Sequence, residues 1–376
     1  MLIKNGLIFD LQEGFVARDL CTDGQVISNA SSDDTVLNAE GCYVIPALVD
    51  VHFHGAMGED FSDATAEGLQ KIADYELSEG VMYICPAGMT LPEDVLTNIC
   101  KTAKSFAETQ TAGAELVGIH LEGPFLSEGK KGAQNGAYLR DPNAAMLLRL
   151  QEAAGGLVRL VTMAPERDGA MEMIAAGTAN GITVSVGHTT ADYATAKAAF
   201  DAGARHCTHL YNGMNSLHHR EPTVLGAAFD HPAVKAEIIC DGIHIHPTVI
   251  RMTWALYGAN RMVLISDSLR CCGMADGKYM LGGQEIVVNG NRATLADNPN
   301  TLAGSNTSLM GCLRTAIRFG IPAADAVRAA SYNPAEAIGL ADRIGSLDLG
   351  KDASFILLDK ETLETKAMVF KGEKIA

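Results

Sequence analysis

Eight short apolar runs, separated by alanine-rich stretches, dominate the middle of the chain. They are ALVDVHF, VMYICP, LVGIHLE, LVRLVTMAP, ITVSVGH, HCTHL, KAEIIC and RMVLISD. Their length and bounding turns read as buried strands. The stretches between them, such as EGLQKIADYELSEG and TADYATAKAAFDAG, carry helical patterns. Eight strands joined by crossover helices predict an α/β fold of the (β/α)8 TIM barrel type. The rival is an open doubly wound sheet. No GxGxxG follows the first strand and no P-loop is present, so nothing supports a nucleotide crevice. In a barrel, chemistry gathers at the C-terminal ends of the strands.

The two chain ends differ in texture. Residues 1–48 hold β-rich pieces broken by Asn-Gly, Asp-Gly and Pro46, and residues 346–376 supply FILLD and KAMVFKG as strands. Neither end can easily form a core alone. Both are therefore expected to pair into one small β-sandwich domain beside a main domain at 49–345. A chain of 376 residues has room for one large core and one such satellite. The SDSLRCCGMADGKYMLGG stretch after the eighth strand reads as a long Gly-rich loop placed to cover the mouth of a site.

A formal charge of −16 argues against nucleic acid as a partner, because phosphate backbones need a basic surface. The nine cysteines match no zinc ribbon and read as small buried hydrophobes in a reducing compartment. The N-terminus MLIKNGLIFDLQEG meets charge too early for a signal peptide, and no run reaches the length of a membrane span. The cytoplasm is the expected location.

Polar residues then fall where a barrel needs them. The first strand ends in His52 and His54, which strand periodicity puts on one side. Imidazole suits zinc and related transition metals. The third strand ends in Glu122, the fifth in His188 and the sixth in His209. Each follows an apolar or small-residue run, and an acid so placed is rarely buried unless paired or metal-bound. His and carboxylate clusters of this kind are metal sites. His120 shares a face with Glu122 and reads as a neighbour of the site or a core residue, while His206 is left outside it. Asp267 ends the eighth strand, where it can take a proton from water and return it to a leaving amine. In the MNSLHHREP stretch, Arg220 is a cation suited to a phosphate. One of His244 and His246 can face substrate, and Asn212 can orient a polar one.

Taken together, VDVHFHGAMGEDF, GIHLEGPFL with KKGA, SVGHTTA, THLYNGMNSLHHREP, CDGIH, GMADGKYMLGG and SYNPAEAIGLADRIGSLDLGKDASFILLD make the chain resemble the N-acetylglucosamine-6-phosphate deacetylases of the amidohydrolase superfamily, over almost its whole length. The resemblance implies a divalent metal, one or two per subunit, with zinc foremost and iron, manganese or cobalt also suited. It implies that Glu122, His188 and His209 hold the principal metal and that His52 and His54 hold a second. Asp267 would be general base and acid. His244 would contact the sugar, Asn212 and the Gly213 backbone the phosphate side, and Arg220 the phosphate of a partner subunit in a homodimer. Some relatives carry His where this chain has Gln134, a neutral and weaker electrophile for the acetyl carbonyl. Others have Ala in place of Gly213. The implied substrate is a sugar phosphate, with the galactosamine epimer or another N-acyl amino sugar as the alternative. Relatives acting on cyclic amides often use a carboxylated lysine on the fourth strand, and LVRLVTMAPE has none.

Overall fold

The computed structural model describes residues 1–32 and 34–376. Its centre is a set of eight parallel strands in chain order. They are β1 (Leu48–Asp50), β2 (Val81–Ile84), β3 (Ile119–Glu122), β4 (Val158–Met163), β5 (Thr183–Val186), β6 (His206–Cys207), β7 (Lys235–Ile239) and β8 (Met262–Ile265). Each lies inside one of the eight apolar runs. Parallel pairing links β1 to β2 and runs unbroken from β3 to β8. The step from the second strand to the third uses short extensions, in which Ala87–Gly88 pairs with β3 and Glu115–Leu116 with β2.

The sheet is a distorted, open arrangement. Among the described residues no ladder joins β8 back to β1. Single hydrogen bonds cross that seam instead. The Asp267 N–H donates to the His52 carbonyl at 2.9 Å and the His54 N–H to the Ser268 carbonyl at 2.7 Å. Below them the Ser266 hydroxyl donates to Asp50 at 2.6 Å.

Helices pack the outside of the sheet for an ordinary reason. In Glu93–Thr109 the buried residues are Leu96, Ile99, Cys100, Ala103 and Phe106, a single stripe at helical spacing. Glu93 and Asp94 lie in its first turn, where the helix dipole favours negative charge.

The chain ends form a separate β-sandwich. One sheet runs Val26–Ser28, Leu20–Asp23, Leu2–Lys4, Val36–Asn38, and the other brings Phe355–Asp359 and Thr365–Phe370 beside Cys42–Pro46 and Leu7–Asp10. Strand alternation explains the second sheet's two duties. Ile8, Val44, Phe355, Leu357 and Val369 face the sandwich core, while Phe9, Ile45, Ile356, Leu358 and Met368 join the large core.

The stretch behind the eighth strand departs from the loop expected there. It contains a three-stranded antiparallel sheet, Gly277–Leu281, Gln284–Asn289 and Arg292–Leu295. Gly282 and Gly283, both at positive φ, make the turn between its first two strands. Ile286, Val288, Ala293 and Leu295 pack with Met89, Leu269 and Leu281 into a third, small core. Among the described residues, no helix is long and apolar enough to cross a membrane.

Candidate metal centre

The ends of β1, β3, β5, β6 and β8 converge on one point. His52, His54, Glu122, His188, His209 and Asp267 are all buried there. Glu122 sits in the middle. Its Oε1 lies 3.3 Å from His52 Nε2, 3.0 Å from His188 Nε2 and 3.1 Å from His209 Nε2. Its Oε2 lies 3.2 Å from His54 Nε2. Asp267 Oδ1 completes the ring at 3.4 Å from His54 Nε2 and 3.9 Å from His52 Nε2.

In three of the four histidines the outer nitrogen settles which atom carries the lone pair, while His209 Nδ1 is buried without a hydrogen-bond partner. His52 Nδ1 faces the Glu237 carboxylate at 2.8 Å, His54 Nδ1 the Ala87 carbonyl at 3.0 Å, and His188 Nδ1 the Lys130 carbonyl at 2.7 Å. Carbonyl and carboxylate oxygens accept hydrogen bonds, so Nδ1 carries the hydrogen in each neutral ring. The Nε2 lone pairs then point inward. His188 Nε2 and His209 Nε2 stand 3.0 Å apart, and His52 Nε2 is buried with no hydrogen-bond partner. Inward lone pairs around a carboxylate, backed by acceptors on the far side of the rings, form the donor set a divalent cation satisfies.

The electrostatics agree. Burial pushes the imidazoles down, but Glu237 and Glu122 outweigh it and hold His52 well above its usual value. His54 is raised to about 10 against burial by Asp267 and Glu122. For Glu122, burial acts upward, and the surrounding histidines overcome it and hold the acid well below its usual range. The cluster attracts positive charge, whether protons or a metal.

Backbone strain marks the same residues. His188, His209 and Asp267 have φ of 47°, 28° and 49°, a region non-glycine residues seldom adopt.

A cavity of about 320 Å³ opens onto the cluster. His54, Glu122, His188, His209 and Asp267 line it, together with Gln134, Asn212, Gly213 and His244. The Asn212 amide donates to the His209 and Leu210 carbonyls. Gly213 has φ of 60°, and a Cβ there would stand 2.9 Å from His188 Nδ1, so the close approach suits glycine. His244 is held by Asp241 through a 2.6 Å bond from Nδ1. His246 instead caps the helix Pro247–Tyr257. Both amide atoms of Gln134 are engaged. Its Oε1 accepts from the Thr90 N–H at 2.7 Å and its Nε2 donates to Glu122 Oε2 at 2.6 Å. Arg220 is exposed, is not among the residues lining this cavity and donates to His219.

Three supporting acids escaped the reading of the sequence. Glu237 lies inside β7 and bonds His52 and His206. Asp241 positions His244. Glu166 accepts from the Thr189 and Thr190 hydroxyls and the Thr190 N–H beside His188. An acid inside the apolar run KAEIIC was the available signal for Glu237. His206 points into the interior below the cluster and is fully buried.

A buried His and carboxylate cluster at the C-terminal ends of parallel strands defines a metal-dependent hydrolase of the amidohydrolase class. The Amidohydrolase family matches residues 43–375. The chain is 37% identical over 322 residues to the N-acetylglucosamine-6-phosphate deacetylase of Bacillus subtilis, covering 85% of this chain and 81% of that one. It is 33% identical over 338 residues to the N-acetylgalactosamine-6-phosphate deacetylase of Escherichia coli O157:H7, covering 90% and 89%. A Mycobacterium smegmatis N-acetyl-D-glucosamine-6-phosphate deacetylase variant, solved in complex with N-acetyl-D-glucosamine-6-phosphate, superposes with a TM-score of 0.92 at 32% identity, covering 100% of this chain and 98% of that one. The chain belongs to the amidohydrolase superfamily and, within it, to the N-acetylglucosamine-6-phosphate deacetylase family.

Proposed function

We propose that this chain hydrolyses the N-acetyl group of N-acetyl-D-glucosamine 6-phosphate, giving D-glucosamine 6-phosphate and acetate. The observation that carries the proposal is the convergence of Glu122, His188, His209 and Asp267 at the base of a cavity, in a chain of this family. Glu122, His188 and His209 would hold the principal divalent cation, and His52 with His54 a second. Zinc is the first choice for such donors, with iron, manganese and cobalt also suited. When bound, the cation supplies Lewis acidity and lowers the pKa of water.

The chain's own residues do the rest. Asp267 faces the cluster from β8, accepts the proton of the attacking water and returns it to the amine nitrogen. His244, held by Asp241, contacts the sugar. Asn212 and the Gly213 backbone face the phosphate side. Gln134 donates to the acetyl carbonyl once its amide leaves Glu122. The cover sheet at 277–295 limits water at the mouth, since Leu281 lines the cavity.

The same reading extends to the whole chain. The order β1 to β8 and the Asp267-to-His52 backbone bond support a (β/α)8 barrel. A domain limit at 345/346 is supported by the cores, since Ile344 belongs to the large one and Leu347 to the small one, while near the proposed limit at 48/49 the small core reaches Val44 and Leu48 already belongs to the large one. Nine free thiols support a reducing compartment, the cytoplasm. A homodimer in which Arg220 reaches the partner's site is supported by two features. Arg220 is not among the residues lining its own cavity, and Leu217, Phe229 and Leu256 beside a shallow groove are exposed.

The galactosamine epimer is the second reading, favoured by the 33% identical relative named for it. Acetate release should be measured from both phosphorylated sugars and from unphosphorylated N-acetylglucosamine, with protein of known metal content. Release should be fastest from the glucosamine phosphate. No release from either phosphorylated sugar would refute the proposal, and equal release without the phosphate would remove the role given to Arg220.

A further inference from the structure

Beneath the cluster lies a layer of polar side chains that the reaction does not touch. Glu237, in the middle of β7, has no solvent exposure. Burying a carboxylate costs several kcal/mol unless charge and hydrogen bonds offset it. Three donors do so here. Glu237 Oε2 accepts from His52 Nδ1 at 2.8 Å and from the His209 backbone N–H at 3.0 Å. Oε1 lies 3.1 Å from His206 Nε2. The carboxylate is therefore clamped from three sides and cannot turn away from His52.

The consequence falls on one ring. In the neutral ring a hydrogen fixed on Nδ1 leaves the lone pair on His52 Nε2, and that nitrogen is among the buried atoms with no hydrogen-bond partner. His120 packs edge-on against the His52 ring, with centroids 4.5 Å apart, and is itself pinned between the Val51 carbonyl and the Thr162 hydroxyl. The His52 ring is thus fixed in both rotation and tautomer. The two histidines of the first strand are not equivalent. His54 is backed by the neutral Ala87 carbonyl, whereas His52 is backed by a full negative charge.

We propose that Glu237 is a positioning residue for the second metal, fixing the ring and tautomer of His52 and setting how tightly that cation is held. The inference rests on reading His52 and His54 as the second metal pair. It assigns the effect to the second cation because Glu237 bonds the ring of His52 but only the backbone of His209.

Zinc titration of the metal-free protein against a chelator, with metal counted after dialysis, tests it in the wild type, Glu237→Gln and Glu237→Ala. A glutamine can keep the geometry, its oxygen accepting from His52 and His209 and its amide donating to His206, while losing the charge. The second equivalent should weaken about 10-fold in the glutamine variant and about 100-fold in the alanine variant, within the range for lost outer partners of metal ligands. The first equivalent should be unchanged. Equal weakening of both equivalents marks a merely structural carboxylate and overturns the inference. An unchanged second equivalent in Glu237→Gln overturns it as well, even if the alanine variant fails to fold. Wild-type protein that takes up a single cation overturns the reading of the His pair and this inference with it.

Discussion

At the scale of single residues, His244 is held above its usual value chiefly by one neighbour. Burial pushes its imidazole down from the usual 6.5, but the bond and charge of Asp241 outweigh that and hold it above. The charged ring therefore survives to higher pH than a free histidine. In Asp241→Asn the main raising partner is gone while burial remains, so the ring should titrate at a lower pH than in the wild type. A substrate oxygen that accepts from His244 loses its charged donor as pH rises through the ring's pKa. KM should climb with pH in both proteins, from a lower pH in the variant, with kcat little altered. Steady-state profiles across pH 5–9 measure this, and superimposable KM curves would show that His244 does not meet substrate as a cation. The sequence exposes such residues unevenly. Glu122, His188, His209 and Asp267 are legible because each closes an apolar run. Asp241 is not, since an acid in a loop that serves another side chain has no pattern of its own, and Glu237 is marked only by being an acid inside the apolar run KAEIIC. The positive φ of His188, His209 and Asp267 leaves no trace in letters either, because none of the three is a glycine.

At the scale of elements, the eight apolar runs are legible because burial on both faces of a parallel strand demands continuous hydrophobicity. The cover sheet is not. Its first strand alternates less and more buried residues and runs into Gly282 and Gly283, so it reads as part of the Gly-rich loop that ends there. The sheet packs through the small core it shares with Met89, Leu269 and Ala303. Ile286 is fully buried within it. Ile286→Ala should cost about 2–5 kcal/mol of packing. That cost falls on a satellite cluster, so it should appear as local opening, not global unfolding. Amide exchange should accelerate across 277–295 while the parallel strands stay protected, and KM should rise because Met89, Leu269 and Leu281 belong to both the small core and the cavity wall. Exchange that stays slow across the sheet would show that the cover is held by something else, for which the Gln284 bond to the Ala133 carbonyl is the first candidate.

At the scale of the whole molecule, the proposed phosphate anchor lies apart from the rest of the proposed site. The cavity's lining includes four of the five proposed metal ligands, all but His52, with the proposed base and the sugar contacts, and Arg220 is not part of it. If Arg220 serves the neighbouring subunit, two defective proteins should repair each other. Asp267→Asn removes the proton carrier and should lower kcat at least about 100-fold. Arg220→Ala removes the anchor and should raise KM. When the two are mixed in equal amounts and allowed to exchange subunits, half of the dimers contain one chain of each kind. In such a dimer the Arg220→Ala chain keeps Asp267 and borrows Arg220 from its partner, so one of its two sites is intact. About a quarter of all sites should then regain wild-type KM and kcat, because dimer exchange is random and each mixed dimer is symmetric in fold. The same pair of substitutions placed in one chain and mixed with nothing should recover none. A mixture with no more activity than the average of its parents would mean that Arg220 serves its own subunit or no site at all, and the exposed apolar groove at Leu217, Phe229 and Leu256 would need another partner.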